Sequence, residues 1–395
     1  MSEVAQATHS SPDGHIPQLR FPGFSGVWRE NRLGNIARIF DGTHQTPKYV
    51  ENGIPFYSVE HITANQFDDT KYISEEVFER ENMRVKLERE DILMTRIGNI
   101  GMAKYIDWNV NASFYVSLAL IKKNESFNSK FLSQLIHSPN FQRQLWKRTI
   151  HVAFPQKINL GEIGKCESIL PTKPEQQKIA AFLTAVDNKI EQLSKKQELL
   201  GEYKKGLMQQ IFSQAIRFKA DDGSDFPDWE EKKLGSLCEI TTGKLDANAM
   251  VKDGQYRFYT CAKEYYKIDD YAFDTDALIV SGNGANVGYI HHYQGKFNAY
   301  QRTYVLDSFT DNIVFVKFVL DGYLHKRIMK EKNEGNTPYI VMGTLTDMKI
   351  NLPSFSEQTK ISNFLSSIDN KIEQVGKQLD ESKQFKKALL QQMFV

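Results

Sequence analysis

Cysteine is nearly missing from this chain: three occur in 395 residues, Cys166, Cys238 and Cys261, far apart and without a Cys-x-x-Cys pair. An odd, scattered set supports neither a disulfide framework nor a zinc site, and it fits a reducing cytoplasm. No apolar stretch approaches the roughly 20 residues that a bilayer-spanning helix needs, so no membrane partner is expected. Residues 1–16 are polar, lack the basic-then-apolar order of a secretory leader, and read as a loose, disordered tail. An excess of one charge is missing as well. Net charge is +1; residues 17–170 carry 20 Lys and Arg against 17 Asp and Glu, and residues 217–352 carry 17 against 20. Contact with nucleic acid therefore has to come from local clustering rather than from a basic block.

Signatures of catalysis are also missing. There is no Gly-x-x-x-x-Gly-Lys-Ser/Thr phosphate loop. The run Gly282-Asn283-Gly284-Ala285-Asn286-Val287-Gly288 misses the dinucleotide-loop spacing by one residue and reads as a tight turn. Asn336-Thr337-Pro338-Tyr339 approaches the Asn/Asp-Pro-Pro-aromatic tetrapeptide of amino-methyltransferases, but Thr replaces the first Pro and no cofactor-binding glycine motif accompanies it. His291-His292 point to opposite sides of a strand, without Cys or acidic neighbours in the sequence. No carboxylate pair stands out as general acid and base. The expectation is a binder with no catalytic residue, metal site or cofactor of its own.

What is present is an internal repeat. Residues 171–213 align without gaps on residues 353–395 at an offset of 182, with 20 of 43 positions identical. Among them is the run Asp187-Asn188-Lys189-Ile190-Glu191-Gln192, repeated at Asp369-Asn370-Lys371-Ile372-Glu373-Gln374. Each copy opens with Pro and an acidic first turn at Glu175 or Glu357, and then steps four and three between apolar positions. The first seam is Ile179, Leu183, Val186, Ile190, Leu193, Gln197, Leu200, Lys204, Leu207 and Ile211. The second is Ile361, Leu365, Ile368, Ile372, Val375, Leu379, Ser382, Lys386, Leu389 and Met393. Both predict long heptad helices, roughly 60 Å each at 1.5 Å per residue. A heptad helix is most often a packing element; two copies 182 residues apart, each following a long non-helical block, ask for more. The natural partner for each stripe is the other copy.

The blocks before the helices are related more weakly. Arg20-Phe21, Trp28 and Leu33-Gly34 have counterparts in Arg217-Phe218, Trp229 and Leu234-Gly235, and Asp91-Ile92-Leu93-Met94 has one in Asp276-Ala277-Leu278-Ile279. Short β-rich runs at 54–59, 113–121, 256–260 and 277–280, punctuated by Gly, Asn and Asp, alternate with helical stretches near 131–148 and 314–330. The expected fold class is α+β. Its order is globule 17–170, helix 171–216, globule 217–352 and helix 353–395.

Polar and aromatic residues mix with cations inside the globules. The first offers Thr43, His44, Lys48, Tyr57, Ser58, His61, Arg96, Asn99, Arg143, Lys147, Gln156 and Lys157. The second offers Lys244, Tyr256, Arg257, Tyr259, Lys263, Tyr265, Asn283, Asn286, Gln301 and Arg302. Arg, Lys, Asn, Gln and His are the types that pair with base edges, while Lys and hydroxyl residues hold phosphates. Singly, each is more often plain solvated surface; together they are compatible with DNA reading.

Three features resemble the specificity subunits of Type I restriction–modification enzymes. They are the opening Pro17-Gln18-Leu19-Arg20-Phe21-Pro22-Gly23-Phe24, the duplicated Leu-Pro-x-x-x-Glu-Gln-x-Lys-Ile helix starts ending at Ile179 and Ile361, and Asp91-Ile92-Leu93-Met94 leading to Gly98-Asn99-Ile100-Gly101. The resemblance covers nearly the whole chain. It implies two target-recognition globules that read the halves of a split double-stranded DNA site, separated by the two helices as an antiparallel coiled coil in a pseudo-two-fold arrangement. It also implies docking of two modification subunits, which use S-adenosylmethionine, and of restriction–translocase subunits, which use ATP and Mg. Two other readings stand beside it: a structural coiled-coil scaffold with no DNA role, and the recognition part of a fused restriction and methylation enzyme. The second would need methyltransferase motifs that this chain lacks.

Overall fold

A computed structural model describes residues 15–331 and 338–395. Most of the expected tail, and Asn336 and Thr337 of the rejected tetrapeptide, lie outside the described residues. The repeated segments form helices Lys173–Phe212 and Phe355–Met393. No helix among the described residues is long and apolar enough to cross a membrane. The chain divides into two compact units, one of residues preceding Lys195 together with Lys377–Val395, the other Lys195–Gly376. Each unit thus takes one globule, the opening half of the helix that follows it, and the closing half of the other helix.

In the first unit, Ile179 and Leu183 of the central helix share a core with Leu389, Met393 and Phe394 of the C-terminal helix and with Trp28 and Phe131 of the globule. In the second, Ile211 and Phe212 share a core with Ile361, Leu365, Ile368 and Phe315. Leu193, Val375 and Leu379 are buried too, while Val186, Ile190, Leu200, Leu207 and Ile372 are half-buried. The polar interruptions of the seam are cross-helix partners. Lys386 lies 2.6 Å from Asp187 in the first unit, Lys204 lies 2.6 Å from Asp369 in the second, and Gln197 packs against Gly376. In the second unit the two contacts follow one antiparallel register. The aspartates belong to the identical run, which explains why that run is the best-kept part of the repeat.

The weaker repeat motifs fasten globule to helix. Arg20 donates from Nε and Nη2 to the two carboxylate oxygens of Glu175, at 2.7 and 2.8 Å. Arg217 does the same to Glu357, at 3.3 and 2.9 Å. Phe21 meets Phe182 edge-on at 5.5 Å, and Phe218 meets Phe364 at 5.6 Å. Gln176 donates to the Pro171 carbonyl and accepts the Asn128 N–H; Gln358 donates to Pro353 and accepts from Asn312. Strand Arg29–Arg32 pairs antiparallel with Glu167–Leu170, and Glu230–Lys233 with Lys349–Leu352. The motif glycines mark close approaches: a Cβ on Gly34 would stand 3.2 Å from Gly164, and one on Gly235 3.1 Å from Thr346.

Two four-stranded sheets carry the first globule. Strand Ile92–Thr95 turns Ile92 and Met94 toward helices Ser129–Ile136 and Pro139–Arg148, and Leu93 toward a second core with Leu118 and Leu120. The β-rich run 54–59 ends early. Strand Ile54–Tyr57 stops because the Ser58 N–H donates to His61 Nδ1 at 2.9 Å, starting helix Val59–Ala64. The run 113–121 is likewise two strands, Ser113–Phe114 and Leu118–Ile121. In the second globule one six-stranded sheet places Leu278, Val280 and Leu306 against helix Ile313–Glu331, and Tyr259, Ile279 and Phe297 on the opposite face.

Helix packing in the first unit also creates a pH-sensitive point. His137 Nε2 accepts the Ala103 N–H at 3.2 Å, and Nδ1 is shut off from water. Burial, reinforced by Lys386, pulls the imidazole down to about 4 from an ordinary 6.5. The unfolded chain therefore takes up a proton between pH 6.5 and 4 that the folded chain declines. Stability present above that window is lost through it, by about 1.4 kcal/mol per pH unit at most. Urea titrations across the window should show a shallower pH slope for His137→Gln than for the wild type. Equal slopes would assign the acid sensitivity to other groups.

Candidate nucleic-acid interface

Three expected residues of the first globule meet at one cleft. Asn99, Arg143 and Gln156 line a cavity of about 490 Å³ together with Gly98, Gln142 and Trp146. Local pairing holds it open: Gly98 N–H donates to the Gln156 carbonyl at 2.8 Å, and Lys157 pairs through its backbone with Ile97 and Ile150. Lys147 is exposed on helix Pro139–Arg148, which also carries Arg143, and the Lys157 side chain is exposed beside it. None of the lining residues is acidic, so the cleft suits an anionic or hydrogen-bonding ligand.

Other expected residues of this globule have internal employment. Arg96 is 8% exposed; its guanidinium donates to the carbonyls of Ile158 (3.1 Å) and Val116 (2.9 Å). Burial lowers its pKa, and Asp41, 3.8 Å away, counters part of that effect. Arg96 thus ties the backbone at Val116 to that at Ile158 and is almost closed to solvent. Thr43 is buried and bonded to Glu81 at 3.0 Å; Tyr57 and His61 are buried, and Ser58 caps a helix with His61. His44 is exposed and lies 2.8 Å from Asp41. Burial alone would raise the Asp41 carboxyl, but Arg84 and His44 outweigh it and hold the group below its ordinary value. Lys48 is exposed and does not line the cleft.

The second globule gathers a different set. The Arg257 guanidinium lies 4.3 Å from the ring centre of Tyr265 and 4.2 Å from that of Tyr293, and donates to the Tyr259 hydroxyl at 3.3 Å. Tyr259 is buried, its hydroxyl pushed up by burial, and its ring lies 4.9 Å from that of His291. Tyr256 packs on Tyr271 at 5.0 Å, with Lys296 over the latter at 4.5 Å. Lys244, Gln301 and Arg302 are exposed around the Leu245–Tyr300 bridge, where Gln301 donates to Asp246 at 2.8 Å. Lys263 is exposed on the neighbouring loop. Asn283 is bridged by its backbone to Tyr339, and Asn286 donates to the Cys261 carbonyl at 3.1 Å, so both shape the turn. A guanidinium clamped between two rings keeps its orientation, which suits it to a base edge or a phosphate.

His291, which the sequence offers as a surface or base-contacting residue, and Tyr293, which it does not single out, complete this cluster; their spacing of two on strand Ile290–Ala299 puts them on one face. The expectation that His291 and His292 lack an acidic partner needs correction. His292 Nε2 lies 2.8 Å from Asp276 on the adjacent strand, a pairing that cross-strand register creates and linear sequence hides. Among the described residues no group of three His, Cys, Asp or Glu is placed to hold a metal ion.

A family model described as the Type I restriction modification DNA specificity domain matches residues 26–200 and 227–382. The chain is similar to the Escherichia coli Type I restriction enzyme EcoDI specificity subunit, 42% identical over 168 residues, which span 41% of this chain and 37% of that protein. It is 26% identical to the Methanocaldococcus jannaschii MjaVIII specificity subunit, over 92% of this chain and 91% of that one. Among solved structures, the Type I restriction–modification S subunit from M. genitalium shares the fold, with TM-score 0.68 and 17% identity over 96% of this chain and 99% of that one.

Proposed function

From the premise that this chain belongs to the Type I restriction modification DNA specificity family, we propose that its two globules each read one half of a split, non-palindromic DNA site. One observation carries this reading. The globules are fastened to their helices by matched contacts, Arg20–Glu175 and Arg217–Glu357, yet the faces they offer differ in kind. The first presents an acid-free cleft around Asn99, Arg143 and Gln156, the second a tyrosine-clamped Arg257 on a sheet face. Like frames with unlike faces suit two unrelated half-sequences. Methylation would then belong to two modification subunits using S-adenosylmethionine, and cleavage to restriction–translocase subunits using ATP and Mg, all in the cytoplasm. This chain would contribute no catalytic group, and its paired helices would act as the docking element and the ruler between half-sites.

Exchange of residues 17–170 for the matching globule of another family member tests the reading. Genome-wide mapping of methylated adenines should show one half of the motif replaced and the other half and the spacer unchanged. Replacement of both halves would mean that the globules form one composite surface, and an unaltered motif would remove this chain from sequence reading.

A further inference from the structure

The loop following helix Pro139–Arg148 exposes two apolar side chains almost completely: Val152 is 97% exposed and Phe154 is fully exposed at 104%. Single exposed apolar residues need no explanation, but two at the tip of a fastened loop do. Both ends of this loop are tied down. Ile150 N–H donates to the Lys157 carbonyl at 2.8 Å, Gly98 N–H donates to the Gln156 carbonyl at 2.8 Å, and the His151 ring lies tilted against Trp146 with ring centres 4.8 Å apart. The charge of the surrounding sequence is one-sided. Between Glu125 and Glu162 the chain carries five Lys and Arg and no Asp or Glu.

We propose that Val152 and Phe154 form a wedge that enters a base-pair step of the DNA held by the first globule. The proposal rests on the reading that this globule binds DNA, and adds to it a mode of contact and two residues. An apolar tip within a basic, acid-free stretch of chain matches what a duplex offers at an opened step: phosphates on both sides and apolar base faces between them. The adjoining cleft places Asn99, Arg143 and Gln156 to contact neighbouring base edges. An acidic protein surface would pair with the cations and leave the apolar tip unused, and a neutral apolar surface would do the reverse, whereas duplex DNA uses both parts of the patch.

Because neither side chain is packed inside the fold, the double variant Val152→Ser, Phe154→Ser should fold and assemble with the modification subunits as the wild type does. The probe is a synthetic duplex bearing the methylome-mapped site, end-labelled for energy transfer, with a scrambled duplex as control. The wild-type complex should bend the mapped duplex. The double variant should bend it less and bind it about tenfold more weakly, the scale of a lost aromatic–base stack, and Phe154→Trp should retain both properties. Unchanged bend and affinity in the double variant would overturn the wedge while leaving DNA reading intact. Failure of the double variant to assemble would make the tip a protein contact, which also overturns it. No preference of the wild-type complex for the mapped duplex would instead overturn the underlying reading, and the wedge with it.

Discussion

Arg20→Ala should destabilise the first unit by about 3–5 kcal/mol, because it strands a carboxylate that the fold has already taken out of water. Glu175 is 1% exposed, and Arg20 bonds both of its oxygens. The carboxylate lies in the first turn of helix Lys173–Phe212, where free backbone N–H groups ease its burial. That places the loss toward the lower end of the range. Arg217→Ala should cost less. Glu357 is equally buried, but Trp229 Nε1 also donates to it at 3.2 Å, whereas Trp28 Nε1 has no partner. Hydrogen exchange at the amides of the two helix openings separates the effects, since each opening belongs to its own unit. Protection should fall further around residue 179 in Arg20→Ala than around residue 361 in Arg217→Ala. Adding Glu175→Gln to Arg20→Ala should recover part of the loss by removing the unpaired charge. No recovery would mean that packing of the Arg20 stem, rather than charge burial, dominates.

These fastening contacts were half visible in the sequence. The repeat drew attention to Arg20-Phe21 and Arg217-Phe218, and the heptad period picked out the buried positions Ile179, Leu183, Ile361 and Leu365. Period and repetition survive in one dimension because they come from helix geometry. What Lys204 and Lys386 do could not be seen there: they break the apolar pattern, and their partners Asp369 and Asp187 lie on the other helix. The interface residues were harder still. Arg96, Thr43, Tyr57, His61 and Tyr259 have the chemistry of DNA-contacting side chains and are buried, because a carbonyl or carboxylate inside the protein asks for the same donors as a base edge. Composition cannot separate those uses; burial can. Val152 and Phe154 are hidden in the sequence for the converse reason, since an apolar residue in a loop carries no signal until its exposure is known.

Matched insertion of seven residues into both helices, at Lys195 and at Lys377, should lengthen the spacer between the methylated half-sites while leaving both half-sequences intact. A heptad keeps the seam in phase and adds about 10 Å. At about 3.4 Å per base pair this corresponds to roughly three base pairs. Three base pairs also turn the second half-site by about 100° around the duplex, given about 10.5 per turn, so methylation should be weaker as well as displaced. A three-residue insertion at Lys195 alone should do far worse. It rotates Leu200, Leu207 and Ile211 off the seam, at about 1–2 kcal/mol for each side chain returned to water, and it moves Lys204 away from Asp369, now 2.6 Å distant. Methylome sequencing of cells carrying each variant decides between outcomes. An active matched variant that kept the original spacer would show that the modification subunits set the distance. An active three-residue variant would show that the closing half of the central helix does not depend on its seam, against the burial of Ile211 at 1% exposure.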